Sequence, residues 1–502
     1  MENESVPLVF GTDGWRDVIA ERFTFDNLRL AAAAYAEHLL ERAASGPVLV
    51  GYDTRFMGRQ FALAVAGVLR GAGLEALVSA DYLPTPALSF AVSHYGASGG
   101  VMLTASHNPP QYSGFKLKGS YGGTATDDIY RDVARRVANV AARGAAGGAA
   151  LPADSTGQAA VGEFDVREAY YAALSRLVDL ELLRQADATL VHDPMGGAGA
   201  GWLKGFANAT GALKVEETRG RPDPEFHGVN PEPIPANLQP TSELMTGPPD
   251  RSPVTPRPGS GPLFAVATDG DADRLGVVLP GGAYFNSHQI FAVLLDHLAR
   301  SDAALGQDSR TVVKTFTVSR IIERLASDRG LAVEETPVGF KHIVEALLTG
   351  RALIGGEESG GIGVGRHLPE RDGIANALLL LEAVVTAGEP LAEIFARLER
   401  ETGWRHAYDR RDLVLQDDGT KERLLEELAD PPGTIGGWRV LSVEDRDGVK
   451  LNLAEEGEAS ATAWLLFRAS GTEPVLRLYC EAPDAASVSR ILAAAEAFVL
   501  AA

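Results

Sequence analysis

The chain has 502 residues, enough for about three or four domains. It is 45% apolar with a formal net charge of −21, which excludes a disordered chain and a basic nucleic-acid surface but not an anionic small-molecule substrate. The single cysteine, Cys480, permits no intrachain disulfide and fits a reducing cytosol. Met1-Glu2-Asn3-Glu4 lacks a signal peptide's apolar core, and no apolar run reaches membrane-spanning length.

Phe10-Gly11-Thr12-Asp13-Gly14-Trp15-Arg16 reads as a turn with two glycines, whose Arg16 either reaches an anion or is simply solvated. Val48 to Asp53 reads as a buried strand ending on a polar residue. Gln60 to Arg70 reads as a helix closed by Gly71-Ala72-Gly73. Leu74 to Val78 and Val101 to Thr104 supply further strands, so the spacing predicts βαβ units and a mostly parallel sheet. The rhythm returns at Ala188 to His192, Phe264 to Ala267 and Thr311 to Thr315, without a tandem repeat.

Thr104-Ala105-Ser106-His107-Asn108-Pro109-Pro110 is a polar loop with a stiff exit, which a simple turn would also explain. Ser106 does not sit in a Gly-x-Ser-x-Gly elbow, and adjacent Ser106 and His107 pair poorly if the strand continues. A serine that carries phosphate suits the loop better. Its charge of about −1.5 to −2 would need cations nearby. In Gly114-Phe115-Lys116, a lysine close to a cation and arginines could have its pKa lowered enough to exchange protons. An ordinary surface lysine is the alternative.

Arg143 to Ala160 is rich in Ala and Gly and reads as a linker or frayed helix end. Pro248 to Pro262 holds six prolines in fifteen residues and reads as a surface loop. After the apolar strand Leu263 to Ala267 comes Asp269-Gly270-Asp271-Ala272-Asp273-Arg274. If extended, alternate residues point one way, and three carboxylates then suit a hard divalent cation such as Mg2+. Arg274 would hold a phosphate beside it. An EF-hand is excluded because its sixth and twelfth positions would be Arg274 and Pro280.

Gly355-Gly356-Glu357-Glu358-Ser359-Gly360-Gly361 offers Glu357 and Ser359 on one face as readers of sugar hydroxyls, or is a glycine-rich turn. The pattern shifts near Thr386 to Glu389. Beyond lie strands at Trp438 to Val443 and Trp464 to Phe467 and a helix from Ala485 to Ala501. Arg468-Ala469-Ser470-Gly471-Thr472-Glu473-Pro474 forms an anion nest suited to phosphate, or a β-turn.

Taken together, these stretches resemble the α-D-phosphohexomutase family, the phosphoglucomutases and phosphomannomutases, over nearly the whole chain. The resemblance implies an α/β fold of four domains around a central cleft, three related α/β domains and a C-terminal α+β domain. Their expected extents are 1–158, 159–262, 263–390 and 391–502. It implies that Ser106 is the phosphoryl carrier and, with Asp269, Asp271 and Asp273, a ligand of one Mg2+ ion. Arg16 and Arg274 would stabilise the transferring group, and Lys116 would be the general acid/base, with His107 beside it. Glu357 and Ser359 would bind sugar hydroxyls, Lys341 would contact substrate phosphate, and Arg468, Ser470, Gly471 and Thr472 would grip the non-transferring phosphate.

The reaction so implied interconverts hexose 1-phosphate and hexose 6-phosphate through a hexose 1,6-bisphosphate, with glucose 1,6-bisphosphate as activator. Val338-Gly339-Phe340-Lys341-His342 and the Gly-Glu-Glu-Ser-Gly form resemble glucose-directed members, and Gly14-Trp15-Arg16 differs from the glucosamine mutase form. A mannose or dual mutase is the alternative, and a metal-dependent sugar phosphatase a more distant one. The expected enzyme is cytoplasmic, a monomer or homodimer, acting on small hexose phosphates without nucleic acid or membrane. The proline-rich segment departs from the family, where a helix is usual.

Overall fold

The computed structural model describes residues 8–11, 13–145, 161–246, 263–301, 310–415, 427–428, 431–469 and 475–501. The chain divides into two compact units. One comprises Met1–Thr311 and Gly339–Ala392, the other Val312–Val338 and Glu393–Ala502.

In the first unit, the all-buried strand Val48–Tyr52 is flanked in parallel by Ala76–Ser79 and Gly99–Leu103. Gly162–Phe164 extends the sheet beyond Ala76–Ser79, also in parallel. The expected helix is present as Gly58–Gly71. Helix Phe25–Glu41 is capped by the Thr24 side chain, which accepts from the Asn27 N–H, and it buries Leu28, Ala31, Ala32, Tyr35, Ala36 and Leu39 along one stripe.

The sheet is not mostly parallel, as the rhythm predicted. Gly99–Leu103 returns as Tyr112–Gly119, antiparallel, and Trp15–Val18 pairs antiparallel with that strand in turn. The eight residues between are too few for a parallel crossover. They form the serine loop.

A second sheet runs in the order Tyr284–Phe285, Leu275–Val278, Leu263–Thr268, Thr189–Asp193, Lys214–Glu217. Leu263–Thr268, expected to open a third domain, lies here instead, parallel to Thr189–Asp193. Its six residues are apolar but for the last, and all but Leu263 are buried. Farther along, Ala352–Gly356 pairs antiparallel with Ile362–Val364, followed by the almost wholly buried helix Gly373–Ala387. The proline-rich segment, the stretch 146–160 and the expected boundaries near 158 and 262 lie outside the described residues.

The second unit holds a six-stranded antiparallel sheet in the order Ala407–Val414, Val475–Ala482, Ala463–Ala469, Val449–Ala454, Trp438–Glu444, Thr434–Ile435. Helix Ala485–Ala501 covers it, packing Val488, Ile491, Leu492, Ala495 and Val499 into its core. Among the described residues, no helix is long and apolar enough to cross a membrane.

Candidate active site

The serine loop and the aspartate run meet in the first unit. Ser106 is buried with φ of +52°, and its Oγ donates to Asp269 Oδ2 at 2.7 Å. The strand has ended by then, so the serine and histidine do approach: Ser106 Oγ lies 3.3 Å from His107 Nδ1. That corrects the expectation built on a continuing strand.

The aspartates also converge by a different route from strand alternation. Asp269 to Arg274 is a turn, with Ala272 at φ +59°. Asp269 Oδ1 caps the turn by accepting the N–H groups of Asp273 and Arg274 at 3.0 and 3.1 Å. One ligand oxygen from each of Asp269, Asp271 and Asp273 lies within 4.8 Å of the others, and all three residues are fully buried. Asp271 Oδ1 and Asp273 Oδ1 have no hydrogen-bond partner. Burial, then the charges of Asp273 and Asp271, push the Asp269 carboxyl well above the usual carboxylate range. Orphaned buried oxygens and mutual repulsion are what a hard divalent cation relieves, so these residues fit a metal.

Lys116 stands on the returning strand, fully buried. Its Nζ lies 2.8 Å from Asp271, 3.0 Å from Asp13 and 3.3 Å from Asp273. The expected lowering of its pKa is not what the structure gives. Burial disfavours the charge, but Asp13, Asp271 and Asp273 outweigh it and raise the ammonium above the ordinary lysine range. Arg16 donates to Asn108 Oδ1 at 2.9 Å and to Asp13 at 3.3 Å. Arg274 Nε sits 3.9 Å from Asp269 and 3.8 Å from Asp273, with no hydrogen-bond partner.

Two residues that sequence reasoning passed over complete the cluster. Asp13 Oδ2 accepts from Arg16 and Arg371 and pairs with the Lys116 ammonium, and these cations overcome burial to hold its carboxyl well below the usual range. Arg371 bridges Asp13 and Asp273, 2.8 Å from each, and stacks over Phe340. A charged triplet, Glu370-Arg371-Asp372, before an apolar helix was the available signal. Asp372 caps that helix by accepting from the Ala375 N–H.

The loop carrying Glu357 joins the aspartate turn through the backbone. Leu275 N–H donates to the Gly360 carbonyl at 3.1 Å. Gly360 has φ of +90°, and a Cβ there would lie 2.7 Å from the Leu275 oxygen, so only glycine allows this approach. Glu357 is buried, 3.5 Å from Arg371, and burial pushes its carboxyl up to about 7 against the pull of Arg371. Ser359 follows in the turn, half-buried. Lys341 is held elsewhere in this unit, 2.5 Å from Asp127. In the second unit, Arg468 Nε donates to Asp447 at 3.1 Å. Ser470, Gly471 and Thr472 lie outside the described residues.

Such an arrangement can hold a phosphorylated serine among one metal and several cations. The phosphoglucomutase/phosphomannomutase alpha/beta/alpha domain profiles match at 7–144 (domain I), 168–282 (domain II) and 286–401 (domain III), and the C-terminal domain profile at 439–497. A candidate phosphomannomutase from Thermus thermophilus, solved by crystallography, is 43% identical with a TM-score of 0.83, covering 98% of this chain and 99% of that one. A phosphoglucomutase/phosphomannomutase of Thermococcus kodakarensis is 28% identical over 94% of each chain. A phosphoglucosamine mutase of Thermobifida fusca is 29% identical, again over 94% of each. The architecture is thus four domains, three related α/β domains and a C-terminal one. With its profiles matched in order from residue 7 to 497, the chain belongs to the phosphoglucomutase/phosphomannomutase family, whose shared chemistry is intramolecular phosphoryl transfer on hexose phosphates.

Proposed function

We propose that this chain is a Mg2+-dependent phosphoglucomutase that carries the phosphoryl group on Ser106. The observation that carries the reading is Ser106 Oγ, buried and 2.7 Å from an aspartate of a three-carboxylate cluster. Asp269, Asp271 and Asp273, with an oxygen of the phosphorylated Ser106, would hold the ion. Bound there, Mg2+ supplies Lewis-acid stabilisation of charge on the phosphoryl oxygens.

The chain's own residues supply the rest. In the first transfer the Ser106–phosphoryl bond breaks, and the phosphoryl group joins a free hydroxyl of the hexose monophosphate. The hydroxyl proton passes to Ser106 Oγ by way of Lys116, which gives one proton and takes the other. The resulting hexose 1,6-bisphosphate turns over, and the reverse transfer returns its other phosphoryl group to Ser106. Arg16 and Arg274 offset the transferring charge, and positioning of this kind dominates such chemistry. Glu357 and Ser359 orient the sugar. Lys341 contacts a substrate phosphate. Glucose 1,6-bisphosphate would load Ser106 at the start.

Glucose is favoured by the Gly339-Phe340-Lys341 and Glu357-Glu358-Ser359 sequences. The relatives divide among glucose, mannose and glucosamine names, so the sugar is the point to test. A coupled assay would offer glucose, mannose and glucosamine 1-phosphates, each with Mg2+ and a trace of its bisphosphate, to wild type and Ser106→Ala. The expected result is fastest formation of glucose 6-phosphate, lost in the variant. Turnover of glucosamine 1-phosphate alone would overturn the glucose reading, and undiminished turnover by Ser106→Ala would overturn the carrier.

A further inference from the structure

Arg55 lies beneath the serine loop with its side chain wholly buried. Nε donates to Asp53 Oδ2 at 3.1 Å. One terminal nitrogen donates to the carbonyls of Pro109 and Tyr112 at 2.7 and 2.9 Å. The other donates to the carbonyls of Ser106 and Asn108, both at 2.7 Å. An arginine has five N–H donors, and all five are used on protein. None remains for a substrate phosphate, which separates Arg55 from Arg16 and Arg274. Its face rests on the Phe226 ring, 4.7 Å from the centroid.

Asp53 completes the clamp. Its Oδ2 accepts the Thr104 hydroxyl at 2.5 Å, and Thr104 Oγ1 accepts the Ser106 N–H at 2.9 Å. Both backbone polar groups of Ser106 therefore lead back to one buried ion pair. On the far side, a Cβ on Gly270 would overlap the Ser106 carbonyl oxygen, so the aspartate turn closes over that carbonyl. Between these supports Ser106 keeps a left-handed backbone, which is strained for a non-glycine residue and persists only where its surroundings over-determine it. That backbone is what aims Oγ at Asp269.

We propose that Arg55 is a positioning residue for phosphoryl transfer. With Asp53 it holds Ser106 in the left-handed conformation that presents Oγ to the aspartate cluster, and it binds no substrate. This rests on the reading of Ser106 as the phosphoryl carrier. A lysine at 55 would keep the charge, but a point ammonium cannot span four carbonyls as a planar fork does.

The test compares wild type, Arg55→Lys and Arg55→Ala for thermal midpoint, kcat, KM, and labelling of Ser106 by hexose 1,6-bisphosphate carrying radioactive phosphate. A displacement near 1 Å costs about a hundredfold in rate, so kcat and the labelling rate should fall by that order with KM within about twofold. Guanidinium ion should partly restore Arg55→Ala, where sodium chloride of equal ionic strength does not. Unchanged kcat, or a loss confined to KM, would overturn the proposal. Should the Arg55 variants not fold, Thr104→Val carries the test, because it removes only the hydroxyl joining Asp53 to Ser106. It should lower kcat at constant KM, and an unchanged kcat there would equally overturn the proposal. Absence of label on wild-type Ser106 would overturn the carrier reading itself, and this proposal with it.

Discussion

Lys116 Nζ and Asp271 Oδ2 form an ion pair 2.8 Å long in which both side chains are fully buried. Such a pair is a poor source of stability in itself, but removing one partner strands a buried charge at about 3–5 kcal/mol. Here the stranded charge would be threefold, since Asp13 and Asp273 share the same ammonium. Lys116→Met should therefore lower the thermal midpoint in chelator, and saturating Mg2+ should recover more stability in the variant than in wild type. Turnover should fall about 10²- to 10⁴-fold, the usual yield of a positioned acid/base. Isomerisation at the wild-type rate would remove Lys116 from the proton path.

Glu357 gives the site a pH dependence. Its carboxyl is pushed up to about 7 by burial, against the pull of Arg371. Below that value it is protonated, and only above it can both oxygens accept from sugar hydroxyls. kcat/KM should thus rise with pH through about 7, and Glu357→Gln should flatten that limb while losing about tenfold or more. Stability moves the other way. Its contribution is full below the ordinary value of 4.5 and lost as pH rises through about 7. A pH–rate profile with the same limb in the Gln variant would assign the titration elsewhere.

What was legible in the sequence was local. The serine loop, the three aspartates and the glycine-rich turn are each contiguous, and their chemistry shows in a few neighbouring letters. Their geometry was not legible, because Ser106 and Ala272 adopt positive φ without being glycine, and no residue preference announces that. The link from Asp13 to Arg371 was hidden for another reason: the partners are 358 residues apart, and each alone looks like an ordinary surface charge. The parallel rhythm misled at the edge of the first sheet, where a short loop forces an antiparallel return.

In the second unit, Glu481 predicts acid sensitivity. This buried carboxylate accepts from His406 Nδ1 at 2.5 Å, Trp404 Nε1 at 3.0 Å, Trp464 Nε1 at 2.5 Å and the Ser319 hydroxyl. Burial opposes its charge, but the bonds from His406, Ser319 and Trp404 prevail and bring its pKa down to about 2 from 4.5. The stability it adds is full above about 4.5 and lost as pH falls toward 2, in all about 3 kcal/mol. Glu481→Gln should be less stable at neutral pH and should lose less on acidification, followed by tryptophan fluorescence. Equal acid sensitivity in the two proteins would count against this assignment.

Arg371 joins the aspartate cluster to the Glu357 carboxylate. Its guanidinium bridges Asp13 and Asp273 at 2.8 Å each and approaches Glu357 at 3.5 Å. After burial, Arg371 is the strongest influence on the Glu357 carboxyl, and it acts downward. Removing the charge should therefore move the acid limb of kcat/KM above its wild-type position near pH 7. Arg371→Met preserves most of the packing on Phe340 and isolates this effect. It should also lower kcat, because Asp13 and Asp273 lose one of the two cations they share, keeping only Lys116. Arg371→Lys restores a charge without the planar fork, so the limb should return toward the wild-type pH while kcat stays low. A limb unmoved in Arg371→Met would show that Arg371 does not govern Glu357, and its role would then be confined to holding Asp13 against the metal cluster.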